Sequence, residues 1–130
     1  TNWGFGTITI KFVELEVVTS YTGNYASLKP EYVTSTRVNS NWGGIFVDWI
    51  EQYKDTTTFD NAQIFTNALF ATGDTGYAYP GGVCKGSASE GIDVMAYGIA
   101  GGIRTLAHEM GHNFGMVHDG QNACGTNDGI

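Results

Sequence analysis

The eleven residues from His108 to His118, HEMGHNFGMVH, hold all three histidines of the chain, and no other segment restricts its folding as tightly. On a helix, His108 and His112 stand one turn apart on the same face, so their ring nitrogens can converge on one ion. Glu109 then sits about 100° round the helix, beside that ion rather than on it, where a base can serve a water. Gly115 lets the chain leave the helix in a left-handed turn that a Cβ would resist, and His118 can swing back as a third ligand. Three neutral imidazoles leave the fourth tetrahedral position open, which marks a catalytic rather than a structural zinc site. One Zn2+ ion is expected on His108, His112 and His118, with Glu109 as the catalytic base.

The pattern is specific. At ordinary residue frequencies, HExxH arises by chance in roughly one chain in a few hundred of this length, and the added glycine and histidine lower that by about a thousandfold. A helix with incidental surface histidines would have to place every histidine of the chain at ligand spacing by accident.

HEMGHNFGMVH resembles HExxHxxGxxH, the extended zinc signature of the metzincin metalloendopeptidases. Asp119 follows the third histidine, as in the reprolysin (adamalysin) branch, which contains the snake-venom metalloproteinases and the ADAM proteases. Upstream, Phe59 to Thr66 (FDNAQIFT) is similar to the family's HDNAQLLT strand, and Gly76 to Cys84 (GYAYPGGVC) to its GxAYxGxxC edge strand. Val13 to Val17 (VELEV) is similar to its VGLEIW-type strand. The likeness runs from about residue 8 to the end.

That resemblance implies an α/β fold, a metzincin catalytic domain with a twisted mixed β-sheet and a long zinc-binding helix. It implies that Gly76, Tyr77, Ala78 and Tyr79 bind an extended polypeptide by β-augmentation. Pro80 lacks an N–H, so such a ladder must skip or end there. It further implies that Asp119 is a carboxylate bracing, through hydrogen bonds, a methionine-containing turn behind the ligands. Many reprolysins hold a structural calcium with a carboxylate just after the strand matching Asp60 to Thr66. Residues 67–71 (NALFA) offer none, and calcium is not expected.

Family domains run to about 200 residues, within the usual single-domain range, and this chain has 130. The resemblance therefore implies a partial reprolysin-type domain over 1–130, with the first strand and helix, the methionine turn and the C-terminal subdomain missing. On that expectation Leu106, Met110 and Phe114 are partly exposed.

Two cysteines, Cys84 and Cys124, could form one disulfide, and neither has ligand spacing to the histidines. The resemblance implies instead that Cys84 pairs with a cysteine beyond Ile130, leaving Cys124 also without its partner. The net charge of −7 and six scattered Lys and Arg residues argue against nucleic acid as a partner. No apolar run approaches 18 residues, so no transmembrane segment is expected. An extracellular setting follows from the resemblance alone.

The chain reads as one domain of alternating elements. Thr7 to Val18 alternates as a long strand. Ser40 or Asn41 can cap a helix from Trp42 to Lys54 with Ile45, Phe46, Trp49, Ile50 and Tyr53 inward. Strands are expected near Ala62 to Thr66, Tyr77 to Val83 and Ile92 to Ala96. The zinc helix follows Gly101-Gly102, with Ile103, Leu106, Ala107 and Met110 on its buried side. The function expected is a zinc metalloendopeptidase cutting extracellular polypeptides. The alternative is a non-catalytic zinc-binding or interaction fragment of the same fold. Astacins, with Glu after the third histidine, and matrixins, usually with Ser, fit Asp119 less well.

Overall fold

The computed structural model of the chain describes residues 9–39 and 41–118. Helix α1 spans Trp42–Tyr53 and helix α2 spans Gly98–Asn113. The strands are β1 (Arg37–Val38), β2 (Ala62–Thr66), β3 (Leu69–Phe70), β4 (Gly76–Ala78) and β5 (Glu90–Val94). Short 3-10 turns occupy Gly23–Leu28 and Gly86–Ala88.

β5 is the middle strand of a three-stranded mixed sheet, with β2 parallel on one side and β4 antiparallel on the other. β1 and β3 form a separate parallel pair. All five residues of β5 are buried, as expected for a strand covered on both faces. Residues alternate across a strand. Ile92 and Val94 join a core with Trp42, Phe46, Trp49 and Ile50 of α1, while Gly91 and Asp93 point to the opposite side, toward α2.

The α1 layer forms for the reason its apolar spacing suggests. Trp49 stacks on Tyr25 and Phe46, with ring centroids 5.7 and 6.2 Å apart. The indole N–H groups of Trp42 and Trp49 donate to Leu28 O and Asn24 O at 3.1 and 2.7 Å. These bonds satisfy the polar edges of two large buried rings and pin the 3-10 turn to the helix. Trp42 belongs to the core, whereas Tyr53 at the last turn is 37% exposed. Asn41 precedes the helix without a side-chain cap bond, and Ser40 lies outside the described residues.

Three strand expectations need correction. The strand expected over Tyr77 to Val83 stops at Ala78: Pro80 cannot extend the ladder, and Gly82 N–H turns back to Tyr79 O at 3.2 Å. The strand expected at Ile92 begins at Glu90, because Glu90 and Gly91 pair with Ala62 and Gln63. The long strand expected over Thr7 to Val18, described from Thr9, pairs with no strand among the described residues. Phe12 is 84% and Val17 81% exposed there. Alternation says which side chains share a face, but a strand exists only where another backbone accepts its hydrogen bonds. Lys54 ties this segment to the end of α1 through Glu14 and Glu16 at 3.0 and 2.7 Å.

The buried side of α2 also differs from the expected one. Gly102, Thr105, Glu109, Gly111, His112 and Asn113 are buried, whereas Ile103 is 59% exposed and Ala107 is exposed as well. Leu106 and Met110 are half-buried, and Phe114 is 49% exposed. α2 packs its polar side on the sheet because β5 presents Gly91 and Asp93 to it rather than large apolar side chains. Neither described helix is long and apolar enough to cross a membrane.

Candidate metal centre and active-site cleft

The last turn of α2 closes as a Schellman motif. Gly115, at φ +90°, directs its N–H to His112 O at 2.8 Å, and Met116 N–H bonds Gly111 O at 2.9 Å. Glycine adopts this backbone at no steric cost. The reversal returns His118 to the face that carries His108 and His112. The three Nε2 atoms then lie 3.0, 3.1 and 3.2 Å from one another, and among the described residues only these three side chains form a group that could hold a metal.

The donor set fits zinc. Nitrogens about 2.0–2.1 Å from one tetrahedral ion stand roughly 3.3–3.4 Å apart, close to the separations found. Three imidazole nitrogens aimed at one point cannot all be satisfied by hydrogen bonding to one another, and a cation resolves the crowding of their lone pairs. His112 Nδ1 lies 2.9 Å from Met116 O; donating its proton there leaves the Nε2 lone pair toward the centre. Burial first, then His112 and His118, push the His108 pKa down, which favours the neutral ring a metal needs.

Glu109 is 4% exposed and lies over Gly76. A Cβ on Gly76 would stand 2.7 Å from Glu109 Cγ and Cδ and would run into Oε1. The glycine is therefore required by close approach. Burial first, then Asp93 and Asp74, push the Glu109 carboxyl up to about 7. Glu109 and the three histidines share a cleft of about 400 Å3 with Gly76, Tyr77, Ala78 and Pro80. β4 forms one edge of its sheet. Tyr77 turns its ring toward α1, where a Cβ on Gly43 would come within 2.7 Å of it. The side chain of Tyr79 is about half exposed, and its carbonyl faces α2. Asp119 and Cys124 lie outside the described residues. Cys84 is exposed and donates its thiol to Asp60 Oδ1 at 3.5 Å.

Asn113 carries none of the motif's chemistry, yet the structure makes it a buried hub at 1% exposed. Its amide donates to Tyr79 O at 3.1 Å and Glu90 O at 2.8 Å. Its carbonyl oxygen accepts from Asn61 Nδ2 and Gln63 Nε2 at 2.7 and 2.9 Å. At the helix end, the His112 carbonyl, which also takes the Gly115 N–H, and the Asn113 carbonyl accept from Gly81 and Val83 at 2.8 and 3.1 Å. The zinc helix is thus bolted to the end of β4, and the distance from edge strand to histidines is set by these bonds. The signals were the two polar residues Asn61 and Gln63 on one face of an otherwise apolar strand, and the four-residue step from Glu109 to Asn113.

With this geometry in view, the chain matches a family model described as metallo-peptidase family M12, of the reprolysin kind, over residues 2–129. It is 41% identical over 86 residues to a zinc metalloproteinase/disintegrin of Bitis gabonica, covering 64% of this chain and 26% of that protein. A zinc metalloproteinase-disintegrin-like protein of Cerberus rynchops is 45% identical over 71 residues, 48% of this chain and 10% of that protein. The human disintegrin and metalloproteinase domain-containing protein 19 is 34% identical over 121 residues, 90% of this chain and 11% of that protein. The chain thus spans about a quarter or less of the length of these curated relatives.

Proposed function

The chain belongs to metallo-peptidase family M12, and from that premise we propose that it carries the catalytic centre of a zinc metalloendopeptidase acting on extracellular polypeptides. The observation that supports this most is the convergence of three imidazole Nε2 atoms within 3.2 Å beside a buried glutamate and an edge strand.

His108, His112 and His118 would hold the ion. When bound, zinc supplies a Lewis acid that lowers the pKa of a water toward ~7 and polarises a carbonyl. The remaining work belongs to the chain. The Met116 carbonyl holds the His112 ring so that Nε2 faces the centre. An extended polypeptide adds to β4 through backbone hydrogen bonds, alongside Gly76 to Tyr79, and Pro80 ends that ladder. The Glu109 carboxylate accepts the proton of the attacking water on one oxygen and later delivers it to the leaving amine nitrogen. Because Gly76 has no side chain, the carboxyl can lie against the strand that aligns the scissile bond.

The test uses the intact protein containing this chain. Purified protein should bind one zinc, hydrolyse an unstructured polypeptide, lose that activity to a chelator and regain it with zinc. His112→Ala should lose the metal itself. Protein that binds one zinc tightly yet cleaves no polypeptide would establish the alternative, a zinc-binding module without catalysis.

A further inference from the structure

Asp93 has no part in the chemistry above, yet it is 0% exposed. Neither of its carboxyl oxygens has a hydrogen-bond partner among the described residues. A buried polar group left so is costly, and its position in the ladder says what faces it. Asp93 is the direct partner of Gly76 across the antiparallel β4–β5 pair. Opposed residues in such a pair put their side chains on one face, with Cβ atoms about 4.5–5.5 Å apart. Gly76 has no side chain, and the space is filled by the carboxyl of Glu109. The base therefore stands in the cross-strand position opposite Asp93.

Two adjacent carboxylates in a dry site do not both ionise. Asp93 is the more deeply buried of the two, does not line the cleft, and takes part in no ion pair among the described residues. Glu109 reaches the cleft and can be solvated there. An un-ionised Asp93 offers one O–H donor, and the acceptor standing opposite is the base.

We propose that Asp93 is a positioning residue for Glu109: an un-ionised carboxyl beneath the base that donates its O–H to the Glu109 carboxylate and holds it over Gly76, facing the cleft. Asp93 keeps its own proton throughout, and the proton in transit is carried by Glu109 alone. This inference rests on the reading of Glu109 as the base.

Two substitutions in the intact, zinc-loaded protein separate positioning from packing. Asp93→Asn keeps a donor at the same place, and Asp93→Val removes it while burying an apolar group of similar girth. Asp93→Val should melt no lower than wild type and retain one zinc, while kcat falls by roughly 10- to 100-fold, as for a misplaced catalytic group, with KM little changed. Asp93→Asn should hold kcat within about threefold of wild type, the donor being retained. In a Glu109→Gln background, Asp93→Val should cost nothing further. The infrared difference spectrum of wild type against Asp93→Asn should carry the carbonyl band of an un-ionised carboxylic acid. Unchanged kcat in Asp93→Val, equal losses in both variants, or absence of that band would each overturn the proposal. Should Asp93→Val fail to fold, the band still decides. If Glu109→Gln cleaves as well as wild type, the base reading itself falls and takes this one with it. A dead Glu109→Gln beside an unaffected Asp93→Val removes Asp93 alone.

Discussion

The two faces of β5 carry different burdens. Toward α1, Ile92 and Val94 are 0% exposed within an apolar cluster of tryptophan, phenylalanine and leucine side chains. Fully burying one such side chain contributes about 1.5–3 kcal/mol. Toward α2, the same strand offers Gly91 and Asp93, and what packs there is a glutamate and a network of amides. Stability accumulates on one side. The other side is kept narrow and polar so that a helix can bring a carboxylate and a metal-binding turn against an edge strand.

That division can be broken by substitution. The largest effect is expected from Glu109→Gln on the polar face. Turnover should fall roughly 10²–10⁴-fold, about 3–5 kcal/mol of barrier, for a lost acid–base group, while zinc stays bound and the melting temperature does not drop. A large loss of stability alongside activity would erase the distinction between the faces. Next comes Ile92→Ala on the apolar face, which should destabilise by about 2–5 kcal/mol in urea unfolding. Zinc stoichiometry and kcat per folded molecule should be unchanged.

Glu90 complicates the apolar face and so sharpens the comparison. It shares the Ile92 side, is 1% exposed, and neither oxygen finds a partner among the described residues. Burial pushes its carboxyl from 4.5 up to about 7. Its folded pKa exceeds its unfolded one, so the stability linked to its proton is full below about 4.5. That stability is lost as pH rises through about 7. Glu90→Gln should therefore match wild type near pH 4 and exceed it by roughly 2–3 kcal/mol above pH 7. Urea unfolding of the zinc-free proteins across that range measures the difference, and a gap independent of pH would show that Glu90 does not titrate on unfolding.

The smallest effect is expected from Gly91→Ala, where the new methyl would run into the Gln63 amide. Overpacking of this kind costs about 1–3 kcal/mol. Because Gln63 donates to Asn113, amide hydrogen exchange should quicken at Gly81 and Val83, which are bonded to the same helix end.

The metal centre was legible in the sequence because its geometry is local. A helix puts His108 and His112 on one face whatever surrounds them, and Gly115 marks the reversal that delivers His118. The strand from Ala62 to Thr66 and the helix from Trp42 were legible for the same reason, as periodicity within one element. What surrounds the centre was not. Whether Thr9 to Val18 becomes a strand depends on a partner backbone, which alternation does not supply. The polar side of α2 is buried because β5 presents glycine and aspartate to it, a fact of pairing between residues far apart in the chain. Asn113 looks like helix surface until the ends of β2, β4 and β5 meet around it, and Asp93 looks like strand filler until Gly76 is laid opposite. Local backbone geometry thus determined which atoms can bind zinc. Non-local packing decided what holds Glu109 and the edge strand in place, because hydrogen bonds between distant segments exist only once the chain has folded.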